Sequence, residues 1–479
     1  METPRRKPLL ARFPARAVLK EADAMLDRIF KLNQNNTRAG VEIVAGLTTF
    51  FTMAYIIFVQ PAVLSGEFLG PGKPPGVEFM DKTGVMLATC IASAFACFFM
   101  AFVANYPIAL APGMGENFFY GLIVAGFISV GTEVSWQAAL GVIFISGVIC
   151  TIISMLRIRE AVVNSIPDSL KSAIAVGIGL LIATIGLSSA GFIVKHPSPG
   201  ALVKMGDMTT PDAAIALVGL AVAGLFLARR MSGGLIAGIA AAAATALLLG
   251  KTSFSGAFSV PDFAALGNVA FKLDILGALK VGLGAIIAVF VIMDFFDSVG
   301  TFVGVARQAN LMDEKGNMPR IGRALVADSV ATVAGALAGT STVTSYVESA
   351  AGIQHGGRTG LTAAVVGVLF LLAMFIEPLM RMVTGCSAIT APVLILVGVM
   401  MCGGAVRVNW DDYRESIPSF LIIAGIPLTM SIADGIAFGF ISYAFLMIVS
   451  GGWRKLHWIA YALAALFIFH IVALSGLGA

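Results

Sequence analysis

Two aspartates lie inside an otherwise apolar helical run, FVIMDFFDSVGTFVG, at residues 290–304. Asp294 and Asp297 are three residues apart, so a helix projects them from nearly the same face. A charge at mid-membrane depth costs roughly 2.5–3.5 kcal/mol on insertion scales, so two on one helix must face a polar cavity or charged partners. Pairing with Arg or Lys for structure alone is the alternative. The pattern favours a transport site on this helix.

Two segments combine helix-breaking residues with polar side chains at membrane depth. Residues 107–121, PIALAPGMGENFFYG, contain prolines and glycines and carry Glu116 and Asn117. Residues 339–353, GTSTVTSYVESAAGI, favour extended backbone followed by a short helix that Glu348 opens. Such a segment is stable in a membrane only where its backbone lines a protein cavity. We therefore expect two half-helices whose positive dipole ends face a ligand.

The interrupted segments are expected to bring Glu116, Asn117 and Glu348 near the aspartate helix. A carboxylate accepts N–H donors from a flat heterocycle, while an asparagine offers both a donor and an acceptor. Because the membrane interior disfavours charge, at least one carboxyl group is expected to bind an exchangeable proton, although the same oxygens could bind Na⁺ instead. Four phenylalanines are candidates for stacking on a planar base, although in a chain with 33 phenylalanines such residues are more often core or lipid-facing: Phe118, Phe119, Phe295 and Phe296.

The composition is that of an integral membrane protein. Of 479 residues, 58% are hydrophobic and 12% are charged, and the mean hydropathy is +0.93, whereas soluble domains have about 25% charged residues. The basic arm at residues 1–40 indicates a cytoplasmic N-terminus in an inner or plasma membrane. Its amphipathic stretch, 21–33, is expected to lie on the inner membrane surface. Acidic residues within the arm argue against a mitochondrial presequence.

The sequence carries no motif for catalysis or for metal binding. The five cysteines lie in apolar runs and the four histidines are scattered, so neither set has metal-ligand spacing. No nucleophile with a base and no phosphate loop supports an enzyme. We therefore predict no catalytic residue, no metal site, no nucleic-acid partner, and no cofactor beyond a coupling ion, H⁺ or Na⁺.

The chain divides into two halves with matching order. We predict a first seven-span repeat at residues 41–250, an external connector at 251–277 and a second seven-span repeat at 278–474. Because each repeat has an odd number of spans, the repeats are inverted relative to each other. Residues 416–431 are short and proline-broken, and a re-entrant segment there keeps fourteen spans. A crossing segment instead satisfies the charge rule for the basic residues that follow.

Five runs of sequence carry a resemblance to a known family. They are GLTTFFTMAYIIFVQP, ALAPGMGENFF, DFFDSVGT, STVTSYVESAAG followed by GGRTGLTA, and IPLTMSIADGIAFGFISY. In this order they resemble the purine permeases of the nucleobase/cation symporter (nucleobase-ascorbate transporter) family, in its adenine, guanine and hypoxanthine branch. The resemblance extends from about residue 36 to about residue 450.

The resemblance implies an all-α polytopic fold of about fourteen spans in two inverted repeats. It implies a core domain at about 41–156 and 278–383 and a gate domain at about 170–250 and 388–474. The implied function is import of purine nucleobases by proton symport with alternating access. Small-residue faces and related transporters favour a homodimer in the lipid bilayer.

The resemblance also implies site residues. The asparagine of the GMG-x-N motif, which has a glycine beside it, both aspartates of the D-F-F-D helix and the glutamate of S-Y-x-E-S are substrate and coupling residues in that family. On this chain they are Gly115, Asn117, Asp294, Asp297 and Glu348. Glu116 fills the variable position of the first motif, which leaves its role open.

Three other charges are predicted to be structural. Asp328 and Asp434 are read as structural or loop-edge charges, and Arg358 as the mark of a cytoplasmic helix start rather than a substrate clamp. Two alternatives to a proton-coupled purine importer remain. One is an anion or other small-solute transporter of the same fold, which would have a basic or neutral site. The other is a sodium-coupled nucleobase carrier.

Overall fold

The described part of the chain is almost entirely helical. This computed structural model describes residues 24–127, 134–156, 167–196, 202–231, 233–279, 283–308 and 318–452, with six further positions between 460 and 468. The first-half elements are α1 Ala39–Met53, α2 Ile56–Leu64, α3 Lys82–Phe99, β1 Leu110–Pro112, α4 Met114–Val124, α5 Trp136–Met155, α6 Asp168–Ser189, β2 Ile193–Lys195, β3 Val203–Met205, α7 Pro211–Ala228 and α8 Gly234–Leu248. Two connector helices, α9 Phe263–Gly267 and α10 Ile275–Ala278, follow them.

The second half also has one strand followed by a short helix after its first spans. Its elements are α11 Leu283–Gln308, α12 Ile321–Ala338, β4 Val343–Ser345, α13 Ser349–Gln354, α14 Gly360–Ala373, α15 Glu377–Thr384, α16 Ser387–Cys402, α17 Tyr413–Thr429 and α18 Ile432–Val449. Among the described helices, eight are long and apolar enough to cross a membrane. The prediction of a polytopic helical membrane protein is therefore confirmed.

The two interrupted segments meet in a short antiparallel pairing of β1 with β4. Leu110 lies opposite Ser345 and Pro112 opposite Val343, and every residue of both strands is buried. The helices α4 and α13 begin shortly after β1 and β4, so both segments have the expected extended and then helical form. Because the pairing is antiparallel, the two segments run in opposite directions, as inverted repeats require.

Each half ends in two antiparallel helices that approach closely at glycines. A Cβ atom at Gly238 of α8 would lie 2.7 Å from the Cβ of Ala223 in α7. A Cβ atom at Gly435 of α18 would lie 2.7 Å from the backbone nitrogen of Ile426 in α17. Side chains at these positions would push the helices apart, so glycine permits the close packing.

The expectation that prolines interrupt residues 416–431 is wrong. The helix α17 is continuous over 17 residues, although it contains Pro418 and Pro427, and it is about 25 Å long at 1.5 Å per residue. A proline removes one backbone hydrogen bond and often kinks a membrane helix without ending it. With α17 and α18 the second half has a pair of helices that corresponds to α7 and α8 of the first half. The part of the predicted second repeat that follows residue 452 lies, apart from six positions, outside the described residues.

The helices form two packed groups. One group comprises α3, α5, α12 and α14, of which α3 and α12 contact the paired strands, whereas α6, α7, α16 and α17 form the other. These groups match the expected division into core and gate domains. The domain boundaries given above stay predictions.

Candidate functional site

The start of α4 carries Glu116 and Asn117, which are 2% and 0% exposed. Thr342 Oγ1 donates to Glu116 Oε2 over 2.9 Å, and Ser341 Oγ donates to Asn117 Oδ1. Thus the residues just before β4 satisfy polar groups of the opposite half. The remaining atoms, Glu116 Oε1 and Asn117 Nδ2, have no hydrogen-bond partner among the described residues. Buried polar atoms in proteins are rarely left unpaired, so both atoms are candidates for hydrogen bonds to a ligand or water.

Two glycines shape the entry to this helix. A Cβ atom at Gly113, the N-cap of α4, would collide with the Glu116 carboxylate and lie 2.7 Å from Thr344 Cγ2. A Cβ atom at Gly115 would lie 2.9 Å from Ile178 Cγ2 of α6. The N-cap provides no side-chain cap for the first turn, which leaves its N–H groups and positive dipole end available.

The two aspartates of α11 occupy different environments. Asp294 is fully buried, and Thr332 Oγ1 donates to its Oδ1 over 3.2 Å. Asp297 is exposed, although it lies within the same apolar helix. One turn of the helix therefore separates a buried carboxylate from a solvent-accessible one, and the two carboxylates remain within electrostatic reach of each other.

Asp328 of α12 is an anchor of the site rather than a loop-edge charge. It is fully buried and accepts hydrogen bonds from the backbone nitrogen of Ser345, over 2.9 Å, and from Ser298 Oγ. It thereby ties β4 to α11 and α12. The structural reading of Asp328 is confirmed, and its loop-edge placement is wrong. A charge in an apolar span is costly, as we argued for α11. The same argument applied to α12 would have assigned Asp328 to this region.

Glu348 at the start of α13 is held by a residue that the sequence argument missed. Tyr55 lies in the break between α1 and α2, is 1% exposed, and its hydroxyl donates to Glu348 Oε1 over 2.9 Å. Its ring lies 6.5 Å from that of Tyr346, whose hydroxyl donates to Pro112 O over 2.6 Å. A tyrosine inside an interrupted span was the available signal, because its hydroxyl needs a partner when buried.

The structure brings all the predicted site residues into one region. Glu116 is close enough to interact electrostatically with Asp297, Asp294 and Asp328, and Asp297 interacts with Asp294 and Glu348. Within the described ranges, no three His, Cys, Asp or Glu side chains converge as metal ligands. The site is a cluster of acceptor groups around the starts of α4 and α13.

The phenylalanines that were candidates for stacking mostly belong to the core. Phe118 and Phe119 are fully buried, and they pack against Phe68 and Phe290 at centroid distances of 5.3 Å and 5.0 Å. Phe295 is also buried. The side chain of Phe296 lies outside the described residues.

Arg358 marks a helix start, as predicted. Its backbone nitrogen donates to Glu42 Oε1, and its Nη1 donates to Ile353 O and Gly357 O, each over 2.8 Å. The guanidinium group thus binds carbonyl oxygens at the end of α13 and just after it. The Glu42 carboxylate accepts a backbone N–H group just before α14. Arg358 is not a substrate clamp in this arrangement. Asp434 lies in the first turn of α18, where Ser431 Oγ accepts its backbone N–H.

Sequence comparisons cover most of the chain. A model of the permease family matches residues 40–438. The adenine permease AdeQ of Escherichia coli K12 is 40% identical over 447 residues, covering 93% of this chain and 96% of that protein. The guanine/hypoxanthine permease PbuO of Bacillus subtilis 168 is 40% identical over 448 residues, covering 93% of this chain and 100% of that protein.

Solved structures with the same fold are more distant in sequence. The transmembrane domain of a cyanobacterial bicarbonate transporter, BicA, has a TM-score of 0.56 and 16% identity, covering 83% of this chain and 96% of that one. Murine solute carrier 26 family member A9, an anion transporter in the inward-facing state, has a TM-score of 0.56 and 11% identity, covering 94% and 74%. At such identities the similarity concerns the fold alone, an inverted-repeat fold with core and gate domains.

Proposed function

The chain belongs to the permease family, and from this premise we propose that it is a secondary active transporter that imports purine nucleobases by proton symport with alternating access. The substrates are adenine, guanine and hypoxanthine. The observation that carries the proposal is the cluster of carboxylates around the starts of the two half-helices. Within it, Glu116 Oε1 and Asn117 Nδ2 have no hydrogen-bond partner among the described residues.

The hydrogen-bonding groups of a purine match those of this carboxylate cluster. It is planar and carries N–H donors beside ring-nitrogen acceptors, so the carboxylates of Asp297 and Glu348 accept from it while Asn117 donates to it. Gly115 lets the start of α4 lie against Ile178 of α6. The substrate would therefore bind where the two packed groups of helices meet, which is the position that alternating access requires.

The same carboxylates support proton coupling. Several negative charges within electrostatic reach repel one another in the membrane interior, and binding a proton removes one of them. When purine and proton are both bound, the site carries less negative charge than when it is empty. The change between the outward-facing and inward-facing states therefore costs less free energy. Sodium is the alternative coupling ion, because oxygen ligands also accept it.

An anion transporter is the second candidate, since the solved structures with this fold include transporters of bicarbonate and other anions. An anion needs basic or neutral donors at the half-helix starts. This site instead presents Glu116, Asp294, Asp297 and Glu348, whose charges would repel an anion. The chemistry therefore favours a neutral, N–H-bearing substrate.

The relatives are permeases, and we propose no enzymatic activity. We place the chain as a multi-pass protein in the lipid of an inner or plasma membrane, with a cytoplasmic N-terminus. We also propose a homodimer that forms through helix faces rich in small residues.

The test is uptake of radiolabelled hypoxanthine by cells that lack their own purine carriers. Saturable uptake, competed by unlabelled purines but not by uracil and abolished by a protonophore, is the expected result. Asp297→Asn should abolish it while leaving the protein in the membrane. No uptake of any base by protein shown to be in the membrane would contradict the proposal, and uptake that follows sodium without any response to pH would favour the sodium-coupled alternative.

A further inference from the structure

A buried chain of polar groups leads from α2 to the proposed substrate residue Asn117. Gln60 Nε2 donates to Thr340 Oγ1 and to Ser341 Oγ, each over 2.9 Å. Ser341 Oγ in turn donates to Asn117 Oδ1. All four residues are 0% exposed. The chain joins three elements that the site depends on, namely α2, the segment before β4, and α4.

In this direction of the chain, one end of the Asn117 amide is occupied and the other end remains available. An amide has one nitrogen with two hydrogens and one acceptor oxygen. The nitrogen of Gln60 uses both hydrogens on Thr340 and Ser341, so the hydrogen of Ser341 is free to bind Asn117 Oδ1. The oxygen of Asn117 is thereby occupied, and its nitrogen has no partner among the described residues. If the chain ran in reverse, Asn117 would present its oxygen instead.

We propose that Gln60 and Ser341 are positioning residues that set the hydrogen-bond sense of Asn117, so that the site selects purines with an oxo group over purines with an amino group at the edge facing Asn117. The inference rests on the proposed function and adds an order among its substrates. Hypoxanthine and guanine carry a carbonyl oxygen at ring position 6, which accepts from Asn117 Nδ2. Adenine carries an amino group there, and two donors would then face each other without an acceptor.

The test compares the inhibition constants of hypoxanthine and adenine in the uptake assay. In the wild type, hypoxanthine should bind about tenfold more tightly than adenine, the effect of one misdirected hydrogen bond. Ser341→Ala frees the amide of Asn117 to turn, so the ratio should fall towards one, mainly because adenine binds more tightly. A residue that only stabilised the fold would lower the amount of active transporter and leave this ratio unchanged.

The matched control is Ser146→Ala. Ser146 is fully buried in α5, and its hydroxyl donates to Ile143 O of the same helix, so its removal should leave the ratio at the wild-type value. Gln60→Met is the second variant, because it removes the donor that orients Ser341 at similar side-chain volume. It should shift the ratio in the same direction if Ser341→Ala does not reach the membrane.

Three outcomes would overturn the inference. They are a wild type that prefers adenine, an unchanged ratio in both Ser341→Ala and Gln60→Met, or an equal shift in Ser146→Ala. These results leave purine uptake itself intact. Absence of purine uptake by the wild type would instead contradict the proposed function.

Discussion

Replacing Tyr55 by phenylalanine removes one hydroxyl and leaves the buried ring in place. The lost bond is the 2.9 Å donation to Glu348 Oε1, and bonds to charged groups contribute roughly 1.5–3 kcal/mol. Glu348 is only half-buried, so water recovers part of this energy. We expect a net loss of about 1.4 kcal/mol, which corresponds to about a tenfold lower kcat/KM for uptake.

The assay is the initial rate of hypoxanthine uptake over a range of concentrations, normalised to transporter in the membrane. Because Glu348 binds substrate in the proposed site, the loss should appear mainly as a higher KM. Tyr120→Phe is the matched control, since the Tyr120 hydroxyl donates to Trp136 O over 2.9 Å in an equally buried position. A wild-type KM in Tyr55→Phe, or an equal rise in Tyr120→Phe, would refute the reasoning.

Three further predictions follow from single contacts. Gly113→Ala should lower uptake at least about tenfold, because the new Cβ collides with the Glu116 carboxylate. The control Gly224→Ala should leave uptake unchanged, because its Cβ would meet no atom within 4 Å. Glu42→Gln should destabilise the protein by about 2 kcal/mol, seen as a lower thermal unfolding midpoint in detergent, because the buried carboxylate accepts two backbone N–H groups and a hydroxyl; an unchanged midpoint would contradict this. Hydrogen bonds from Arg414 lower the pKa of Asp412 to about 2, so its contribution is present above about pH 4 and is lost only as pH falls towards 2. Asp412→Asn should therefore leave the pH profile of uptake between pH 5 and 8 unchanged, and a shifted profile would count against this assignment.

Much of the site was readable from the sequence because charge in an apolar segment is costly wherever it occurs. That argument identified Asp294, Asp297 and Glu348, and the breaks around Glu116 and Asn117 identified the half-helix. The same physics applies to Asp328, which we read from the sequence as a structural or loop-edge charge. Its partners, the backbone of Ser345 and the hydroxyl of Ser298, appear only when β4 is placed beside α11 and α12.

Other features depend on contacts between distant parts of the chain. The bond between Tyr55 and Glu348 joins residues 293 positions apart, and sequence spacing carries no information about such a pair. The different exposure of Asp294 and Asp297 depends on which neighbours pack on α11. Residues 416–431 were expected to break at proline, but helix packing against α6 and α18 keeps α17 continuous.

The most direct test of the central claim uses the purified protein in sealed liposomes with imposed gradients and radiolabelled hypoxanthine. With the outside acidic and sodium absent, the account predicts accumulation above the external concentration, abolished by a protonophore and by Asp297→Asn. Accumulation driven by a sodium gradient alone, or no accumulation under either gradient by correctly inserted protein, would contradict it.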